Sequence, residues 1–296
     1  MNENDVTVKR NHKDTVFRKL FEDKKELLSL YNALYNTNYP NPDDLDVTTL
    51  ENAIYLKHKN DLACVLDLRL SVIEQQSTIN PNMPLRMLRY IVDLYNELNA
   101  DSDIYSSRLI KLPYPSFIVL YNGVKEQPER REMRLSDAYM DSPVKEVNLE
   151  LKVIQLNINE GFNEKLKKNC PTLMGYSFFV DSIRKNLDLG FNINKAVDAA
   201  VDTCIRNNIL SDFFRKNRKE VISMSLYEYD EERHNRTLYE EGVEDGREKG
   251  IEEGRNAIIS TMLKKGKTPT DIADFTGISY DQIYKVQQQH LRVREE

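Results

Sequence analysis

The sequence predicts an α/β protein with a mixed sheet, ordered helix-strand-strand-strand-helix-strand and followed by a helical C-terminal region. Three observations predict it. Apolar residues recur at helical spacing over 14–35 and again over 85–98. Between these stretches lie short apolar runs in which apolar residues alternate along one face. A further run, Ser116–Tyr121 (Ser-Phe-Ile-Val-Leu-Tyr), stops at the turn signal Asn122-Gly123.

Each element has its own reason. Asp14–Tyr35 reads as one helix, since Val16, Leu20, Phe21, Leu27, Leu28, Tyr31 and Leu34 fall near a 3.6-residue period. Pro40 and Pro42 make Asn36–Asp46 a loop. Three strands are expected at Asn52–Leu56, Asp61–Leu66 and Leu68–Gln76. In the third, Leu68, Leu70, Val72 and Glu74 share a face. The second helix, Leu85–Leu98, starts after Pro84 and carries Leu85, Leu88, Ile91, Val92 and Tyr95 as its apolar stripe. Phe117 and Val119 read as core rather than as a stacking platform. Leu149–Leu156 reads as another strand. Cys170–Arg218 is mostly helical, with Ile183, Leu187, Ile193, Ala196, Val197, Ala200, Cys204 and Ile205 as core candidates.

Composition narrows the class. The 296 residues are 40% apolar and 30% charged, enough for one sizeable core and a smaller domain. No apolar run approaches the roughly 20 residues needed to cross a bilayer, and Met1–Lys13 lacks the apolar stretch of a signal peptide. A cytoplasmic protein without a membrane partner is expected. Cys64, Cys170 and Cys204 are odd in number and far apart, which disfavours a disulfide framework. His12, His58, His234 and His290 form no His-x-x-x-His pair, and there is no Cys-x-x-Cys. A bound metal would therefore rest on carboxylates, favouring a hard ion such as Mg²⁺. The net charge is −6, and the segment Leu226–Arg255, with 11 acidic and 5 basic residues, accounts for all of it. The rest is neutral overall, so a nucleic-acid partner is not excluded.

The chain divides into 1–229, whose part from about 165 is a helical extension, an acidic glycine repeat over 230–255, and a small helical unit over 256–296. Gly242, Gly246, Gly250 and Gly254 recur every fourth residue. They would line one helix face, permitting close approach of a second helix, yet each costs about 1 kcal/mol in a helix relative to Ala. A flexible acidic tether and a dimerising helix are both open readings. Beyond it, Thr270 can cap a helix over Asp271–Phe275, Thr276-Gly277 turns the chain, and Ser279 can cap Tyr280–Leu291. Ala273, Gly277 and Ile283 are spaced as in a helix-turn-helix motif. DNA contact would use Tyr280, Gln282, Lys285 and Gln288; the alternative is a packing or oligomerisation unit. Asp271, Asp274 and Asp281 within the motif count against DNA, and Lys264, Lys265 and Lys267 before it count for DNA.

The chemistry concentrates at Lys59-Asn60-Asp61 and Ile73-Glu74-Gln75-Gln76. If these two strands pair as a hairpin turning near Asp67, residues 61 and 74 are nearly equidistant from the turn. Asp61 then falls opposite Glu74, with Gln76 on the same face as Glu74. Two carboxylates at one end of a sheet are costly to bury unless a cation satisfies them. The bland readings are a strand-entry residue for Asp61 and a sheet edge emerging into water for Glu74 and Gln76.

This order, with Asp followed by Glu-x-polar, resembles the PD-(D/E)XK (restriction-endonuclease-like) superfamily. Glu74-Gln75-Gln76-Ser77-Thr78 and Asn80-Pro81-Asn82-Met83-Pro84-Leu85-Arg86 resemble the recombination-promoting nuclease family, also described as PD-(D/E)XK family transposases. So do Asp14-x-x-Phe17-x-x-Leu20-Phe21, Tyr121-Asn122-Gly123 and Leu135-Ser136-Asp137, the likeness covering about Asp14–Tyr229. The resemblance implies a Mg²⁺-dependent DNA endonuclease, with Mn²⁺ or Ca²⁺ as alternative ions, linked to recombination, mobile elements or phage defence. It implies Asp61 and Glu74 as metal ligands and catalytic residues, and Gln76 as the third catalytic residue. The superfamily usually has Lys at that third position, whereas this family commonly has Gln. Lys would offer a positive charge; Gln offers neutral hydrogen bonds and would orient the attacking water. Arg86 and Arg89, three apart on the next helix, are candidates for the backbone phosphate; a solvated helix face is the plainer reading. Asp14, Glu22, Glu26 and Glu51 are further carboxylates that could join the site or be surface charge. His58 reads as incidental. Double-stranded DNA and a second copy of the chain are the expected partners, because two sites are needed to cut two strands. A DNA-binding module that does not cut, serving a transposition or recombination complex, is the competing reading.

Overall fold

A computed structural model describes residues 15–47, 61–140 and 147–292. The chain forms two units, 1–232 and 233–296. The strand expected at Asn52–Leu56 lies outside the described residues, as do Asp14, Glu51 and His58.

The apolar alternation over 61–76 produces the hairpin that orders the first unit. Strands β2 (Asp61–Leu66) and β3 (Arg69–Gln76) are antiparallel, with Leu66 opposite Arg69. That register leaves a two-residue turn in which Asp67 takes a left-handed conformation (φ 54°), as tight hairpin turns require. Strand β1 (Asp46–Val47) pairs with the outer side of β2. Past the hairpin, helix α3 (Met83–Leu98) crosses over to β4 (Tyr114–Tyr121), which runs parallel to β3; parallel neighbours need such a crossover. Strand β6 (Lys152–Asn157) is parallel to β4, and β5 (Arg130–Arg134) is antiparallel to β6. The mixed sheet has the order β1-β2-β3-β4-β6-β5.

Alternation sends neighbouring residues of each strand to opposite layers. Leu70, Val72, Phe117, Val119 and Val153 bury against Met83, Met87, Tyr90, Ile91 and Leu94 of α3. Leu62, Cys64, Leu66, Ile73, Ile118 and Leu120 form the other core with the helices α1 (Val16–Phe21), α2 (Lys24–Tyr35), α5 (Pro171–Asp188) and α6 (Ile193–Arg206). A short α4 (Glu164–Asn169) contributes Leu166 to the same core. Each fully buried large apolar side chain contributes roughly 1.5–3 kcal/mol.

Several elements differ from the sequence expectation. The first helix is two helices, because Asp23 adopts an extended conformation and its carboxylate caps Lys25 N–H at 2.8 Å; apolar spacing continues through the break and hides it. Leu68 is in the hairpin turn and 74% exposed, not on the buried face of the strand. Leu85 and Val92 of α3 are exposed, and Tyr90, Met87 and Leu94 form its buried stripe instead.

Helix α7 (Ser211–Lys264) has one non-helical residue, Asn217. The glycine repeat is part of this helix, and a Cβ at Gly246, Gly250 or Gly254 would meet nothing within 4 Å. The second unit continues with α8 (Pro269–Thr276) and α9 (Tyr280–Arg292) around Ile259, Ile272, Ile283 and Val286. The cap of α8 is Thr268 rather than Thr270: its hydroxyl accepts from Asp271 N–H at 3.2 Å, and Asp271 accepts in return from Thr268 N–H at 3.0 Å. Gly277 ends α8 at φ 70°, its N–H bonded to the Ala273 carbonyl at 2.9 Å, a left-handed cap that favours glycine. Among the described residues no helix is long and apolar enough to cross a membrane.

Candidate active site

The parallel strands β3, β4 and β6 end in polar residues. Glu74, Gln75, Gln76, Asn122 and Asn157 are all buried there. In open α/β sheets the carboxyl ends of parallel strands are where ligands bind.

Backbone register sets the row. Asp61 of β2 is the Cα partner of Glu74, which in turn partners Val119 of β4, and Val119 partners Gln155 of β6. Glu74 follows Leu70 and Val72 on the α3 face of β3 and is only 3% exposed. A buried carboxylate needs a partner, and α3 supplies one. Arg86 Nη2 lies 2.7 Å from Glu74 Oε1. Gln76, two residues along the same face, donates to the same oxygen at 2.8 Å and to Met83 Sδ at 2.9 Å. Tyr90, one helical turn beyond Arg86, accepts from Arg86 Nε at 3.1 Å and from Nη2 at 2.7 Å. Removing one partner of a buried ion pair costs about 3–5 kcal/mol, so Arg86 is structural to this carboxylate as it stands.

The opposite face of the strand end is locked separately. Gln75 donates to Asn122 Oδ1 at 2.7 Å, Asn122 donates to Tyr176 Oη at 3.2 Å, and Asn122 N–H bonds the Gln76 carbonyl at 3.0 Å. Arg184 donates to the Asn122 carbonyl and, at 2.9 Å, to Asn159 Oδ1. This buried network fixes the last residues of β3 against the Asn122-Gly123 turn.

Of the residues singled out from sequence, Asp61 and Glu74 are brought together in backbone register, and Gln76 and Arg86 join Glu74 through their side chains. Arg89 is exposed and forms no ion pair among the described residues. Glu22 is exposed, and Glu26 accepts from Thr172 Oγ1 on the helical layer across the sheet from Glu74. Tyr90, Met83 and the Gln75–Asn122–Arg184 network were missed from sequence; only the i, i+4 spacing of Arg86 and Tyr90 carried a signal. Among the described residues no group of three or more His, Cys, Asp or Glu is arranged to hold a metal.

In the second unit, Tyr280, Gln282, Lys285 and Gln288 are all exposed on α9. Tyr280 and Tyr284 stack with centroids 6.3 Å apart and an interplanar angle of 15°. Ser279 precedes the helix, its hydroxyl 3.3 Å from Gln282 Oε1.

Comparison with protein-family models, with curated proteins and with solved structures gives no match to this chain.

Proposed function

We propose that this chain is a metal-dependent endodeoxyribonuclease with a PD-(D/E)XK core, hydrolysing phosphodiester bonds in double-stranded DNA. The observation that carries the reading is the register of Asp61 against Glu74, with Gln76 bonded to Glu74 at the carboxyl end of β3. The helix, hairpin, helix and parallel strand around it support the same reading.

The donor chemistry fits a hard divalent ion: a buried carboxylate that already draws a guanidinium, with a second acidic residue in backbone register with it on the neighbouring strand. Asp61 and Glu74 would hold Mg²⁺, with Mn²⁺ or Ca²⁺ as substitutes. When bound, such an ion lowers the pKa of a water and stabilises charge on phosphate oxygens. Gln76 commits its Nε2 to Glu74 and Met83, so the role open to it is to accept a hydrogen bond from the attacking water through Oε1 and orient it. Water adds to phosphorus and one P–O ester bond breaks. Arg86 would meet the phosphate. The exposed face of α9, with Tyr280, Gln282, Lys285 and Gln288, would contact the duplex, and a homodimer would present two sites to two strands.

A second reading, a DNA-binding module of a transposition or recombination complex that does not cut, is favoured by one observation: Arg86 already neutralises Glu74. Plasmid cleavage separates the two. The nuclease reading expects cutting with Mg²⁺, none with chelator, and none from folded Asp61→Ala and Glu74→Ala variants. Cutting that survives both substitutions, or DNA binding without any cutting, overturns it.

A further inference from the structure

We infer that Arg86 is an internal counter-ion that competes with the divalent metal for Glu74 and is drawn off by the DNA phosphate, so that substrate arrival loads the metal site. This deepens the proposed nuclease function and rests on it.

The geometry carries the argument. The Arg86 guanidinium sits on Glu74 Oε1 at 2.7 Å, the carboxylate assigned to the metal. That same oxygen also accepts from Gln76 at 2.8 Å. A metal ion and a guanidinium both seek the negative charge of Glu74, and two cations on one buried carboxylate repel each other. A guanidinium held on Oε1 therefore weakens metal binding to the same carboxylate until it retracts. The side chain is built to do so. The Arg86 side chain is 22% exposed while that of Glu74 is 4% exposed, so the guanidinium's outer edge reaches solvent where the carboxylate does not. The Tyr90 hydroxyl, which accepts from Nε and Nη2 on the α3 side, is neutral, as is Met83 Sδ, 3.5 Å from Nη1. A phosphate diester offers the guanidinium a paired-oxygen partner of the kind arginine prefers. Moving Arg86 from carboxylate to phosphate takes its positive charge off Glu74, favouring metal binding at the moment a scissile bond is present. Without DNA, the same contact keeps the buried carboxylate neutralised.

The test is metal binding without turnover. Mn²⁺ binding to the full-length protein is measured by electron paramagnetic resonance, without DNA and with a short phosphorothioate duplex. Arg86→Gln removes the competing charge and is expected to bind Mn²⁺ roughly tenfold or more tightly without DNA. Tyr90→Phe keeps the charge but removes the anchor, and is expected to tighten binding by roughly threefold. The duplex is expected to raise Mn²⁺ affinity in the wild type and to add little in Arg86→Gln. If both variants bind Mn²⁺ no more tightly than the wild type while Glu74→Gln abolishes binding, the inference fails and the metal site stands. If no form binds Mn²⁺, both fail together.

Discussion

Gln75 and Asn122 join the ends of two parallel strands through a 2.7 Å side-chain hydrogen bond, one residue from Glu74 on one strand and one residue from Tyr121 on the other. The bond is buried, and Asn122 passes it on to Tyr176. Truncating either amide leaves polar atoms without a partner, at about 1–3 kcal/mol. Gln75→Ala and Asn122→Ala should each lower the unfolding free energy read from urea melts by that amount. The double variant should cost clearly less than the two together, because both break one network. Additive losses would show that the two amides act independently.

Gly123 closes the same turn. A Cβ there would stand 1.9 Å from the Ser77 carbonyl oxygen and 2.4 Å from Tyr121 Oη. One of these is backbone and cannot rotate away. Gly123→Ala should therefore destabilise by about 1–3 kcal/mol and disturb the residues that follow Gln76. A thermal melt unchanged from wild type would show that the turn gives way more easily than its packing implies.

Gln76 tests the chemistry. Gln76→Ala leaves Asp61 and Glu74 in place and removes the amide, including its hydrogen bond to Glu74. If its task is to orient the nucleophilic water, cleavage should fall by about a hundredfold while Mn²⁺ affinity stays within about threefold of wild type. A matching loss of metal affinity would make Gln76 a support for Glu74 rather than a water-orienting group.

Burial pushes the Cys64 and Cys204 thiols up to about 12 and also raises that of Cys170. Unfolded thiols ionise near pH 8.5, so the native state holds these protons more tightly. Their contribution to stability is complete below about pH 8.5 and is lost as pH rises towards 12. Urea midpoints should fall with pH across this window, and less steeply in Cys204→Ala. Native protein at about pH 8 should resist a thiol reagent that labels all three cysteines in urea; rapid native labelling would contradict the burial.

The α9 surface predicts a separable defect. On the nuclease reading, Tyr280→Ala and Lys285→Ala should each lower site discrimination by about 1–3 kcal/mol, with the cleavage rate at saturating DNA unchanged. If neither alters binding, the unit packs against protein instead.

The hairpin was legible because strand periodicity is 2: once Asp67 turns the chain, the numbers alone set Asp61 against Glu74, and the register agrees. The Arg86–Glu74 pair was half legible, since both residues stood out but nothing in their spacing showed which arginine of α3 faces the sheet. The apolar stripe of α3 was misread because Leu85 and Val92 look like core, while the buried side uses Tyr90 and Met87. Strand β5 was missed because Arg-Arg-Glu-Met-Arg carries one buried apolar residue, Met133, and reads as surface. The network through Asn122, Tyr176 and Arg184 joins residues more than 50 positions apart, and no local pattern encodes such a meeting.

The two-residue turn at Asp67 has a consequence for how the molecule folds. A hairpin so tightly closed is a local structure, formed on a timescale of about 1–10 μs, whereas the β3–β4 pairing must wait for α3 to cross over. The two acidic residues are thus brought opposite each other early, before the helix that brings Arg86 has docked, and like charges directly opposite oppose strand pairing. If this rung is the proposed metal site, its placement and rapid assembly pull against each other there. Asp61→Asn should relieve that conflict, yielding a chain that folds faster, withstands more denaturant and, on the nuclease reading, no longer cuts.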